Sequence, residues 1–286
     1  MTDAMLRDQV AVVTGGGGGI GFGIARSLAR QGARVVIGDI LPERAKTAEA
    51  ELRAVGVEAV GVVMDVMDTD QVRALVATAD ERFGRIDILV NNAGGTARKA
   101  FIEQSERSWR RHIDINLISM MAATAEAAPI MIRGGRGGSI INVSSIEASR
   151  AAPGYAVYSA CKAAMENFSR TLALELAEHQ IRVNCIAPDH TVTPGMFGNL
   201  TEPVAATAFE RPEPVARAFR SIIPLGREGD IDECGDVAVF LASAMSRYVT
   251  GVTIPVDGGT WASGGWTRAG GDGPWVLHDA LAKAAG

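Results

Sequence analysis

A short β-branched run, Val10-Ala11-Val12-Val13, meets Thr14 and then five consecutive glycines, Gly15 to Gly19, followed by Ile20 and Gly21. A helical apolar pattern begins at Phe22 and continues through Ile24, Ala25, Leu28 and Ala29. Strand, glycine loop, helix is the order that a phosphate site requires. Glycines let the backbone turn sharply and approach a pyrophosphate, whose charge lies against the free amides of the helix N-terminus. The run satisfies several fingerprints at once, G-x-G-x-x-G and T-G-x-x-x-G-x-G among them, so by itself it says only "dinucleotide". A flexible linker shares this composition but would not be flanked directly by a buried-strand pattern and a helix.

The second strand, Arg34 to Gly38, ends in Asp39, about twenty residues past the loop. An acid there accepts hydrogen bonds from the adenosine ribose hydroxyls and repels a 2′-phosphate, which predicts NAD rather than NADP. The glycine loop holds no Lys or Arg, although Arg44 follows a turn later, and a turn Asp ahead of Pro42 would look the same. Helices expected over 42–55 and 68–83 then alternate with strands over 58–64 and 86–90. That rhythm predicts a single α/β domain: a Rossmann-type doubly wound parallel sheet of about seven strands with helices on both faces. Ligands should bind outside the carboxyl ends of its strands.

Composition narrows the partners. With 286 residues, 47% of them hydrophobic, the chain has material for one large core. Net charge is −5 and the basic residues are scattered among acids, so a nucleic acid finds no electrostatic footprint. Cys161, Cys185 and Cys234 stand in no paired or metal-ligand spacing, and an odd count fits a reducing compartment; no metal is expected. Residues 1–7 lack a signal peptide's apolar core, and the apolar stretch from Ile113 to Ile132 carries Asp114, Asn116 and Glu126, too polar for a membrane span. The expectation is a cytoplasmic protein without membrane partners.

The chemistry gathers downstream. Tyr158 and Lys162 stand four apart and share one helix face. Using a phenol as proton acceptor at neutral pH means stabilising its anion by about 4 kcal/mol. A cation about 4 Å away, at an effective dielectric near 20, supplies that order. Upstream, a strand expected over 139–145 ends in Ser144 and Ser145, and a long helix capped by Ser105 carries Asn116 in an apolar neighbourhood, as a core amide or a catalytic one.

These motifs together resemble the short-chain dehydrogenase/reductase family over roughly residues 6–259. They run in order: Thr14-Gly15-(x)3-Gly19-Ile20-Gly21, Asp65-Val66, Asn91-Asn92-Ala93-Gly94, Asn116, Ser145 and Tyr158-(x)3-Lys162. The resemblance implies a catalytic tetrad of Asn116, Ser145, Tyr158 and Lys162. Tyr158 would transfer the proton while hydride passes between substrate carbon and nicotinamide, and Ser145 would hold the same substrate oxygen. Lys162 would lower the Tyr158 pKa and bind the nicotinamide ribose, and the Asn116 backbone would hold a water joining Lys162 to solvent. The cofactor, NAD, would lie on Gly15, Gly18, Gly19, Ile20, Gly21 and Asp39, with Asp65, Val66, Asn92 and Gly94 on the adenosine side. Tyr158, Lys162, Pro188, Thr191 and Thr193 would hold the nicotinamide end. A homotetramer is implied too, through the small-residue face of the Tyr158 helix (Ala160, Ala164, Phe168, Leu172).

Where the family usually has Pro-Gly, this chain reads Pro188-Asp189-His190. Asp189 would be tolerated at positive φ, and Asp189 and His190 would otherwise reach the substrate or stand in solvent. Residues 190–224 are expected to form an irregular substrate lid whose Met196, Phe197, Leu200, Phe209 and Phe219 fit a bulky apolar substrate. Residues 1–260 form the catalytic domain in this reading, and 261–286 a Trp- and Gly-rich extension carrying three of the four Trp, placed on a neighbouring subunit. The function expected is an NAD(H)-dependent oxidoreductase interconverting a secondary alcohol and a ketone, a small-molecule substrate. The alternatives are a 3-oxoacyl-thioester reductase, an epimerase or dehydratase of the extended branch, and a non-catalytic dinucleotide-binding regulator.

Overall fold

β1 (Val10–Thr14) is buried along its whole length, as a parallel strand must be when helices cover both faces of its sheet. The computed structural model describes residues 4–193 and 211–277. Around β1, seven parallel strands stand in the order β3-β2-β1-β4-β5-β6-β7. They are β2 (Arg34–Asp39), β3 (Ala59–Val63), β4 (Ile88–Asn91), β5 (Gly138–Val143), β6 (Ile181–Pro188) and β7 (Thr253–Val256). The order reverses between β1 and β4. Their carboxyl ends therefore open a crevice at the switch point, the place where such sheets bind ligands.

On one face lie α1 (Gly19–Arg30), α2 (Pro42–Ala54) and α8 (Ile231–Ala242), whose Ile24, Leu28, Leu52 and Leu241 are fully buried with Val13 and Ile37 of the sheet. On the other lie α3 (Thr69–Phe83), α5 (Ser119–Gly134) and α6 (Ala156–Glu175), packing Val72, Leu75, Met131 and Ala173 against Val12 and Leu89. Each such aliphatic side chain contributes about 1.5–3 kcal/mol by burial. Helices α1 and α8 meet backbone to backbone. A Cβ on Gly23 would fall 2.5 Å from the Ile231 carbonyl oxygen, and one on Gly235 would fall 2.2 Å from Ser27 Oγ.

Three expectations change. α1 starts at Gly19, three residues before Phe22, because the last glycines of the run already form its first turn. The helix capped by Ser105 is not uniform: α4 (Glu106–Ile113) passes into α5 through a π turn, Asp114–Ile118. The segment before Pro224 holds a regular helix, α7 (Glu213–Ile222), started by prolines at its first positions. Met196, Phe197, Leu200 and Phe209 lie outside the described residues.

The run 106–134 is, among the described residues, the stretch long and apolar enough to cross a membrane, with a mean hydropathy of 1.5, yet 56% of that window is buried inside the fold. After β7 come α9 (Thr260–Ser263) and a small hairpin of β8 (Thr267–Arg268) and β9 (Trp275–Val276). This extension docks on α7 of its own chain: Arg217 donates to the Gly270 carbonyl and Ser221 to that of Arg268. Trp261, Trp266 and Trp275 stay 39–51% exposed.

Candidate active site

The glycine loop joins β1 to α1 with its main chain pressed against its neighbours. Gly15 and Gly19 take positive φ, 63° and 55°. A Cβ on Gly21 would fall 2.2 Å from the Gly15 carbonyl oxygen, and one on Gly17 would fall 2.7 Å from the Asp39 carboxylate. Gly18 caps α1 without a side-chain hydrogen bond, and the first turn of the helix holds no acid. Its leading amides therefore keep their capacity for an anion, and the loop fits a dinucleotide pyrophosphate. Ile20 follows in the first turn.

Asp39 is buried at the tip of β2, accepting from the Gly17 amide at 3.1 Å and the Leu41 amide at 3.0 Å. Arg44 lies beside the same loop, 3.3 Å from where a Cβ of Gly18 would sit. Past β3, Asp65 accepts from the Met67 amide at 2.9 Å, which shapes the turn holding Val66. At the end of β4, Asn92 donates from Nδ2 to the carbonyls of Thr14 and Gly15, both at 3.1 Å, tying two strand ends together. A Cβ on Gly94 would meet Asn116 Oδ1 at 2.7 Å, so only glycine fits there.

Asn116 sits in the π turn, fully buried. Its Oδ1 accepts from the Gly95 amide at 3.1 Å, and its Nδ2 donates to the carbonyls of Gly95 and His112, both at 2.9 Å. Its side chain thus clamps the loop after β4. This is the core-amide reading of the sequence; the water-holding role implied by the resemblance falls to its backbone.

β5 ends at Val143, and Ser145 lies just beyond it, near enough to the Tyr158 phenol to oppose its raised pKa. Tyr158 stands in the first turn of α6, and one turn later the buried Lys162 donates from Nζ to the Val143 carbonyl at 2.7 Å. Asn116, Ser145, Tyr158 and Lys162 therefore converge at the carboxyl ends of β4 and β5. The electrostatics depart from expectation. Burial drives the Lys162 ammonium down to about 8, and Nζ stands 5.7 Å from the Tyr158 ring centre. Burial raises the Tyr158 phenol above its ordinary value; the Ser145 hydrogen bond opposes this, and the charges of Glu147 and Asp189 add to it. Ser145 thus favours the phenolate against the effect of burial.

The loop after β6 closes the crevice. Pro188 ends the strand, Thr191 donates to the Asp189 carbonyl at 3.1 Å, and Thr193 packs 3.5 Å from the Cβ position of Gly19. Positive φ falls on His190, at 34°, and not on Asp189. Asp189 instead faces Arg150 and His190, each at 3.4 Å, while the His190 ring packs edge-on against Phe219 of α7. A hollow of about 450 Å³ between this loop, the α7–α8 connection and the end of β7 contains neither Ser145 nor Tyr158, so it is not where the phenol could act. Sequence reasoning passed over Glu147 and Arg150; an acid two residues after Ser145 was the signal available.

The family model described as enoyl-(acyl carrier protein) reductase matches residues 15–260. The chain belongs to the short-chain dehydrogenase/reductase family. It is 37% identical to the 2,5-dichloro-2,5-cyclohexadiene-1,4-diol dehydrogenase LinX of Sphingobium indicum, over 91% of this chain and 98% of that one. It is 38% identical to the 3-oxoacyl-[acyl-carrier-protein] reductase FabG of Thermotoga maritima, over 89% and 98%. Its fold superposes on a 7α-hydroxysteroid dehydrogenase complexed with NADH and 7-oxo glycochenodeoxycholic acid, with a TM-score of 0.81, 32% identity and coverage of 90% and 96%. Membership in this family makes the chain an oxidoreductase acting on alcohol and ketone groups, with a nicotinamide cofactor.

Proposed function

We propose that the chain is an NAD(H)-dependent oxidoreductase that interconverts a secondary alcohol and a ketone, with Tyr158 as the proton-transfer group. The observation that carries this is the meeting of Ser145, just past β5, with Tyr158 in the first turn of α6 and the buried Lys162 one helical turn away. Tyr158 Oη takes the carbinol proton in oxidation and returns it in reduction, while Ser145 holds the same oxygen in place. Lys162 supplies positive charge beneath them, and Asn116 fixes the loop that lines the site. Bound nicotinamide supplies the hydride acceptor or donor.

Gly15, Gly18, Gly19, Ile20 and Gly21 hold the pyrophosphate in this reading, and Asp65, Val66, Asn92 and Gly94 the adenosine side. Tyr158, Lys162, Pro188, Thr191 and Thr193 hold the nicotinamide end. The choice of NAD rests on Asp39. Its carboxylate is fixed by two backbone amides, with lone pairs left for ribose hydroxyls and a charge that repels a 2′-phosphate. Residues 1–260 form the catalytic domain and 261–286 an extension whose Arg268 and Gly270 dock on α7, its exposed Trp faces directed to a neighbouring subunit. A cytoplasmic homotetramer paired through α6, where Ala160 and Ala164 are exposed, completes the reading.

A second reading, reduction of 3-oxoacyl thioesters, is supported by the FabG relative; Asp39 weighs against it. The test is the initial rate with NAD and with NADP across secondary alcohols, alongside NADPH with a 3-oxoacyl thioester, in the wild type and Tyr158→Phe. Oxidation of alcohols with NAD that disappears in the variant is expected. Rates confined to NADPH and the thioester would replace the proposal with the second reading.

A further inference from the structure

The turn that carries Ser145 also carries an acceptor with nothing to accept. Glu147 follows two residues later, and its amide donates to Ser145 Oγ at 3.2 Å, so one short turn positions both side chains. Oε1 of Glu147 takes the Arg150 guanidinium at 2.7 Å. Oε2 is buried and has no hydrogen-bond partner among the described residues. Folds seldom strand a carboxylate oxygen in this way, because it loses its water and gains nothing in return.

The surroundings deepen the imbalance. Asp189 brings a second carboxylate, 3.4 Å from Arg150 and 3.4 Å from His190 Nε2, and Asp257 lies close enough to act on Arg150 as well. Asp257 is met by the Gly259 and Trp261 amides at 2.9 and 2.7 Å and Asp189 by Arg150 and His190, so of the three acids it is Glu147 that keeps an oxygen without a donor among the described residues. The array borders the reacting position. Beyond the effect of burial, the charges of Glu147 and Asp189 are felt at the Tyr158 phenol, and the Glu147 amide holds Ser145 Oγ. A substrate bearing a carboxylate or phosphate near its carbinol would be repelled here, and a plain alkyl chain would leave Oε2 unpaired. A hydroxyl would satisfy it.

We propose that Glu147 Oε2 accepts a hydrogen bond from a second hydroxyl of the substrate, so that the preferred substrates are diols or polyols with a hydroxyl close to the carbinol being oxidised. Glu147 is then a specificity-determining residue, and Arg150 its positioning partner, turning Oε1 away so that Oε2 stays free. The inference rests on the alcohol–ketone reading given above.

The test measures kcat/KM of the full chain with NAD for matched pairs, cyclohexanol against cyclohexane-1,2-diol and 2-butanol against 2,3-butanediol. The variants are Glu147→Ala and the isosteric Glu147→Gln, the second guarding against a folding defect. The wild type should favour the diol of each pair by about 30-fold, because a site built to bond a hydroxyl rejects the analogue lacking it. That ratio should fall about tenfold or more in Glu147→Ala and severalfold in Glu147→Gln. Equal turnover of both members of each pair by the wild type, or a diol preference that survives in Glu147→Ala, would overturn the inference while leaving the alcohol–ketone reading intact. A wild type inert toward all four alcohols would overturn that reading, and this inference with it.

Discussion

On the side of the crevice formed by β1, β2 and the end of β4, contacts run through the bare main chain of the glycine loop: Gly21 against the Gly15 carbonyl, Gly17 against the Asp39 carboxylate, the Thr14 and Gly15 carbonyls under the Asn92 amide. On the β5–β6 side they run through side chains and charges: Lys162 on Val143, Ser145 on Tyr158, Arg150 between Glu147 and Asp189. The first half suits a ligand common to a whole family, since its geometry is set by missing side chains. The second half is tunable, because one substitution changes a charge or an acceptor without disturbing the sheet. In the proposed reading, recognition of the cofactor's pyrophosphate and adenosine and choice of substrate thus fall to different materials.

Removing the phenol hydroxyl from the side-chain half should have the largest effect. Tyr158→Phe should lower kcat by about 10³-fold, the scale of a lost general acid and base, in steady-state rates of alcohol oxidation. Lys162→Met should also stop turnover, yet stabilise the fold. Lowering the ammonium from 10.5 to about 8 by burial corresponds to roughly 3 kcal/mol, and about 1 is returned by leaving the Val143 carbonyl unpaired. Chemical denaturation should show a gain near ~2 kcal/mol at neutral pH. Because the folded pKa is depressed, the unfolded chain binds more protons between about 8 and 10.5. Wild-type stability should therefore climb with pH across that window, and the variant should lose the slope.

Two glycines sharpen the main-chain half. Gly21→Ala drives a Cβ to 2.2 Å from a backbone oxygen and should cost about 3 kcal/mol, visible as a drop in Tm together with a raised KM for NAD. Gly18→Ala, at an extended φ of −170° and facing only Arg44, should cost less than about 0.5 kcal/mol. Equal effects would mean that close approach is not what the loop needs.

Asp39→Asn keeps an acceptor and removes the charge, and should raise the NADP to NAD ratio of kcat/KM about tenfold. The smallest effect expected is on the pH profile of alcohol oxidation, which requires the phenolate. Ser145→Ala deletes the bond that opposes the raised phenol pKa, so what activity remains should shift to higher pH. Glu147→Gln removes a negative charge and should shift the profile to lower pH.

The same division explains what was legible in the sequence. The glycine loop, Asp39 and the Tyr158–Lys162 spacing are local, and each was readable because its function follows from neighbours in the chain. The order of strands and helices was readable for the same reason, through periodicity. The early start of α1 was hidden because glycine disfavours a helix until close packing with Asn92 and the loop demands it. The π turn at Asn116 was hidden because one extra residue per turn barely disturbs an apolar pattern. α7 was concealed by prolines that look like a loop yet belong at a helix start. The charged group of Glu147, Arg150 and Asp189 depends on β5 and β6 being neighbours, and nothing local reports that.

The most direct measurement is an NADH titration of wild type and Ser145→Ala by protein fluorescence, read beside kcat for each. If the main-chain half binds and the side-chain half reacts, the Kd should agree within about twofold while kcat falls about 10²-fold. A Kd that weakens in step with kcat would contradict the division between the two halves, and with it the assignment of Ser145 to the chemistry.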